Sequence, residues 1–91
     1  MAKIIVTAQV EDTSKWLQGF VTHRDLFEEM TVTGVDYVVT PENEITLCFE
    51  VNDVEKYLQI NESQATADAM GSDGVKRETV KVVVLDTELS I

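Results

Sequence analysis

The stretch Gly34-Val-Asp-Tyr-Val-Val-Thr-Pro-Glu-Asn-Glu-Ile-Thr-Leu-Cys-Phe-Glu-Val51 reads as a β-hairpin. Both arms, 34–40 and 44–51, alternate with period two, as strands with one buried face do. Pro41-Glu42-Asn43 supplies the turn. A three-residue loop sets Thr40 opposite Glu44, and the register follows from it. Val39 then lies beside Ile45, Tyr37 beside Leu47 and Val35 beside Phe49 on one face. Val38 with Thr46 and Asp36 with Cys48 take the other. A slip of one residue would set apolar against polar throughout, so the pattern selects its own register.

Working outward toward the N-terminus, Glu11–Met30 reads as one helix. Asp12 or Thr13 is suited to cap it. Trp16, Phe20, His23, Phe27 and Met30 follow alternating spacings of four and three, which makes a single stripe at 100° per residue. Leu17, Val21 and Leu26 flank the stripe. Gly19 costs roughly 1 kcal/mol relative to alanine in a helix, so it marks a local irregularity or a close approach. Ahead of the helix, Lys3–Val10 reads as a strand. Ile4, Val6, Ala8 and Val10 share one face and Ile5, Thr7 and Gln9 the other, a pattern suited to a central strand covered on both sides.

Beyond the hairpin, Asn52 opens a helix over Val54–Ile60, with Glu55 at capping-box distance. Ser63 caps a second short helix, Gln64–Met70, with Ala65, Ala69 and Met70 facing inward. Gly71 is the expected C′ residue and Gly74 a further bend. Glu78–Leu85 is the last strand, and the tail 86–91 carries Leu89 and Ile91. The order β-α-β-β-α-β with right-handed crossovers predicts an α+β, ferredoxin-like fold: a four-stranded antiparallel sheet with helices on one face. Val35, Tyr37, Val39, Ile45, Leu47, Phe49 and Val51 are expected under the helices. The reverse face, with Ile5, Thr7, Val38, Thr46, Cys48, Val83 and Leu85, is too apolar to stand open to water. A second copy of the chain is its simplest cover.

Ninety-one residues are read as one domain, 1–91. Seventeen acidic against seven basic residues give a net charge of −10, which repels phosphate backbones and anionic membranes. Nucleic acid and membrane are therefore not expected partners. The lone Cys48 allows no intrachain disulfide and no paired-cysteine metal motif. Met1-Ala2-Lys3 leads straight into a strand-like run, and no apolar run approaches membrane-spanning length. The expected location is cytoplasmic.

The chain resembles the dimeric α/β-barrel proteins, small ferredoxin-like chains whose two sheets face each other. The resemblance runs over nearly the full length. It rests on the element order, on Trp16…Phe20…His23 followed by Gly34-Val35, and on Ser63-Gln-Ala-Thr-Ala-Asp-Ala-Met…Gly74-Val75 before the last strand. It implies a homodimer in which the two sheets enclose a barrel. The family includes quinone-forming monooxygenases, isomerases, haem-handling enzymes and many proteins of unassigned activity. No catalytic motif of any of them is found here, so the resemblance carries over no catalytic residue.

Several residues are able to carry chemistry, each with a plainer alternative. His23, the only histidine, either handles a proton for a substrate or is a histidine bonded at the edge of the core. Trp16, Phe20, Phe27, Tyr37, Phe49 and Tyr57 form either a packed core or the wall of an apolar pocket. Arg24 either snorkels into solvent or holds an anionic head group. Asp36 and Glu50 are either neighbouring carboxylates with one raised pKa or rim residues of an interface. No metal-ligand spacing, phosphate loop or nucleophile elbow is present, and no cofactor is expected.

Taken together, the sequence reads as a homodimeric binding or structural module, with no catalytic residue assigned. It would hold a small apolar ligand, fatty-acid-like or aromatic, between the first helix and the sheet. Trp16, Phe20, His23, Arg24, Tyr37 and Phe49 are the expected ligand-binding residues. The alternative is a cofactor-free monooxygenase or isomerase acting on a polycyclic or phenolic substrate. A third reading is an assembly protein that uses the tail Leu89–Ile91 on a partner.

Overall fold

The computed structural model describes residues 2–86, 89 and 90. Its elements in chain order are β1 (Ala2–Val10), α1 (Thr13–Phe20), α2 (Arg24–Glu29), β2 (Val32–Val39), β3 (Glu44–Val51), α3 (Val54–Asn61), α4 (Gln64–Ser72) and β4 (Val75–Leu85). They build a four-stranded sheet in the order β2-β3-β1-β4, antiparallel throughout. This is the ferredoxin-like arrangement.

The hairpin has the register its alternation predicts: Val39 opposite Ile45, Tyr37 opposite Leu47, Val35 opposite Phe49, and Asp36 opposite Cys48. Asn43 closes the turn at φ 60°, a left-handed position that asparagine tolerates better than most residues. The Thr40 N–H then donates to the Glu44 carbonyl at 2.9 Å. β1 lies between β3 and β4, and its inward side chains Ile4, Val6, Ala8 and Val10 are all buried. On β4 the ladder shifts register opposite Thr7–Gln9. There the Thr79 hydroxyl accepts from the Gln9 N–H at 2.8 Å, which satisfies a donor the ladder would otherwise leave free.

The long first helix of the sequence reading is two helices. α1 ends at Phe20, and α2 starts at Arg24. Gly19 lowers the helical preference at this point, and the β-branched pair Val21-Thr22 follows it. The Thr22 N–H and hydroxyl both bond the Gly19 carbonyl, at 2.9 and 2.6 Å, and so end the α-helical ladder. His23 consequently sits at the N-cap of α2, with φ −92° and ψ 29°, and not within a continuous stripe. Val21, placed beside the stripe by periodicity, is exposed.

Smaller differences have local causes. Asp53, not Asn52, caps α3, accepting from the Lys56 N–H at 3.1 Å. Ser63 caps α4 as expected, but α4 continues to Ser72 with Gly71 inside it. The left-handed residue is Gly74, at φ 76°. That tighter exit starts β4 at Val75 and not at Glu78. On α4 the buried side chain is Thr66, whose hydroxyl donates to the Ile60 carbonyl at 2.7 Å, while Ala65 is exposed.

The core lies between the sheet and the four helices. Trp16, Phe20, Met30 and Tyr57 pack onto Ile4, Val6, Ala8, Val10, Ile45, Leu47, Phe49 and Val51. The expectation that Val35, Tyr37 and Val39 join them fails: these are 38%, 48% and 40% exposed. They sit on the edge strand β2, which α1 and α2 cover only in part, through contacts such as the edge-on one between Trp16 and Tyr37. On the reverse side of the sheet Val38, Val83 and Leu85 are exposed, and Ile5 and Cys48 are half-buried. Among the described residues no helix is long and apolar enough to cross a membrane. Of the tail, Leu89 is exposed, and Ile91, named with it in the third reading, lies outside the described residues.

Candidate functional site

A cavity of about 70 Å³ lies between the helices and the sheet. Its floor is formed by Val6, Ala8, Ile45, Leu47 and Phe49, which reach it because they share the inward face of β1 and β3. Trp16 and Phe20 from α1 wall one side, their rings stacked at 4.7 Å. Leu26, Phe27 and Met30, from α2 and its end, wall another. Tyr57, Asn61, Thr66, Ala69 and Met70 come from α3 and α4. Aromatic contacts run through this wall: Phe20 to Phe27 at 5.0 Å, Phe27 to Phe49 at 5.7 Å, and Phe49 to Tyr57 at 5.6 Å. Burial pushes the Tyr57 phenol well above its usual pKa, so it remains a protonated, neutral wall residue.

The polar part of the wall is distinct. His23, at the α1–α2 break, meets Asp73, which caps the C-terminal end of α4. His23 Nε2 lies 2.8 Å from Asp73 Oδ2. The imidazole is 22% exposed and the carboxyl 5%. Both line the cavity. Phe27 stands edge-on to the imidazole with the ring centroids 6.5 Å apart. Gly19 makes the pairing sterically feasible: a Cβ there would fall well inside contact distance of Asp73 Oδ1. The pair thus joins residues 50 positions apart through a missing side chain.

Four of the six residues expected to bind a ligand meet at this cavity: Trp16, Phe20, His23 and Phe49. Arg24 and Tyr37 are elsewhere. They line a shallower outer groove with Val21, Glu28 and Val35, between the helix break and β2. Tyr37 reaches the inner set only through its edge-on contact with Trp16 at 5.8 Å. Asp73 was not foreseeable from the sequence, where it reads as a loop residue between two glycines. Asp36 and Glu50 lie on β2 and β3, Asp36 opposite Cys48 and Glu50 opposite Gly34. Among the described residues no group of three or more His, Cys, Asp or Glu side chains is placed to hold a metal ion.

The cavity is small. An engineered apolar cavity of about 150 Å³ is known to accept benzene, so one aromatic ring enters here only if the wall yields. α2 spans six residues, none of them buried, and Met30 and Met70 are unbranched and adaptable.

No family model matches the chain, and no curated protein matches it significantly. Solved structures do resemble it. A protein provisionally described as an antibiotic biosynthesis monooxygenase from Bordetella bronchiseptica superposes with a TM-score of 0.73 at 16% identity, over 97% of each chain. SnoaB, a cofactor-independent oxygenase from Streptomyces nogalater, superposes with a TM-score of 0.72 at 7% identity, over 99% of this chain and 95% of its own. A protein provisionally described as an antibiotic biosynthesis monooxygenase from Nitrosomonas europaea gives 0.65 at 15% identity, over 96% and 98%. At these identities the likeness is one of fold.

Proposed function

We propose that this chain is a cofactor-free oxygenase of a phenolic substrate, bound in the cavity between the helices and the sheet. The observation that carries the reading is an apolar, aromatic-walled cavity with an imidazole in its wall. The fold likeness to a cofactor-independent oxygenase supports it. His23 takes the substrate hydroxyl proton, the task imidazole is suited to near neutral pH. The electron-rich phenolate then passes one electron to dioxygen, and the resulting superoxide recombines at a ring carbon. The peroxide takes the proton back from His23, and the resulting hydroperoxide loses water and leaves a carbonyl. One phenol and one dioxygen thus give one quinone and one water. The apolar wall keeps bulk water from the reactive pair. Trp16, Phe20 and Phe49 hold the ring. Arg24 and Tyr37 act at the outer groove, where an incoming ligand first meets the protein. The cavity volume favours one aromatic ring over a polycyclic system or a fatty-acid chain.

The working unit in this reading is a homodimer that buries the reverse face of the sheet, with Val38, Val83 and Leu85. The test of activity is oxygen uptake by metal-free protein with a panel of phenols, naphthols and hydroquinones. Uptake matched one-for-one by quinone absorbance is expected. His23→Ala should slow it by about a hundredfold or more, the usual weight of a positioned base. No uptake with any member of the panel contradicts the proposal. Should those compounds still raise the melting temperature, the chain is a binding module for the same ligands.

A further inference from the structure

We infer that Asp73 is the positioning residue for His23. It accepts a hydrogen bond from Nε2–H, holds the neutral imidazole as that tautomer, and so leaves Nδ1 as the acceptor for a substrate hydroxyl. The inference rests on the phenol-oxidising reading and adds the residue that sets its base.

Asp73 is poorly placed for stability alone. Its side chain is 5% exposed, in a wall that is otherwise mostly apolar. It caps the C-terminal end of α4, where the helix dipole disfavours a carboxylate. A buried carboxylate is costly without a partner, and among the described residues the side chain hydrogen-bonded to it is His23. A second sacrifice accompanies the first. Gly19, near the end of α1, lowers helix propensity, yet any Cβ there would displace Asp73 Oδ1. Two residues unfavourable for their own helices therefore combine to seat one carboxyl against one imidazole. Such local conflicts with stability mark functional positions. The chemistry follows from the donor inventory. A carboxylate accepts only, so the ring nitrogen facing it carries the proton, and the other nitrogen keeps its lone pair.

His23 is the only histidine in the chain, so protein labelled with nitrogen-15 histidine shows a single imidazole in the NMR spectrum. At a pH where the ring is neutral, the wild type should show Nε2 protonated and Nδ1 bare. Asp73→Asn keeps the shape but offers an amide that donates as well as accepts, so the single tautomer should be lost. Gly19→Ala should lose it too, although it alters neither partner. With an oxidised phenol, Asp73→Asn should lower kcat by about a hundredfold with KM changed less than about twofold. A wild-type Nδ1–H tautomer overturns the inference. So does an unchanged tautomer in both variants, or a lost tautomer with undiminished kcat. If the tautomers behave as expected but wild-type protein oxidises no phenol, the reading of the preceding section fails while Asp73's hold on His23 stands.

Discussion

On the helix side of the sheet Ile4, Val6, Ile45, Leu47, Phe49 and Val51 are at most 5% exposed, whereas across the same backbone Val38, Val83 and Leu85 stand at 57%, 54% and 47%. The two sides have similar residue types. β-Branched side chains serve both, because each strand presents alternate residues to each side. What separates them is the crossover rule. Both connections of a βαββαβ chain put their helices on one side. That side acquires a core and a cavity. The other acquires an apolar surface, and assembly is its natural use. The proposed chemistry and the proposed association thus fall on opposite faces of one layer, where each can be disturbed without the other.

The contrast is sharpest for stability. Phe49→Ala should lower unfolding free energy by about 3–5 kcal/mol in urea titration, because Phe49 is 4% exposed and touches Phe20, Phe27 and Tyr57. Tyr37→Ala, on the edge strand and half exposed, should cost about 1 kcal/mol. Equal losses would break the distinction between central and edge strands. On the reverse face, Val83→Asp should convert a dimer to a monomer in sedimentation, while the monomer keeps its stability to within about 1 kcal/mol. A mass unchanged at micromolar concentration would mean that the face is not the interface.

Two helix glycines sharpen the comparison within the closed side. Gly71→Ala, with open space around the new methyl, should stabilise by up to about 1 kcal/mol. Gly19→Ala should instead destabilise, by about 1–2 kcal/mol, because Asp73 must give up its place against His23. Thermal unfolding of both variants decides the sign. A further effect appears at alkaline pH. Burial raises the Tyr57 pKa, so above about pH 10 the unfolded chain releases a phenolic proton that the folded chain retains. The folded state then binds more protons, and stability falls as pH rises. Tyr57→Phe should lose less stability than wild type over that range.

How much of this was legible beforehand varies by element. The hairpin register follows from alternation and loop length, since both are local. The cover over Val35, Tyr37 and Val39 is not local. Their alternation matches that of Ile45, Leu47 and Phe49, and only the reach of α1 and α2 tells an edge strand from a central one. Periodicity joined α1 to α2 because Trp16, Phe20, His23 and Phe27 keep helical spacing across a break made by Gly19 and Thr22. Four of the cavity residues were visible as a stripe and a strand face. Asp73 was not, because its role depends on a contact with residue 23 and on the space left by residue 19.

The ring-binding cavity beside His23 is the claim on which the function turns. A crystal structure of the protein soaked with a simple phenol tests it most directly. The ring should lie in the cavity walled by Trp16, Phe20 and Phe49, with its hydroxyl within hydrogen-bond distance of His23. A ring found instead in the Arg24–Tyr37 groove or on the reverse face of the sheet, with the His23 cavity unchanged, would contradict the account.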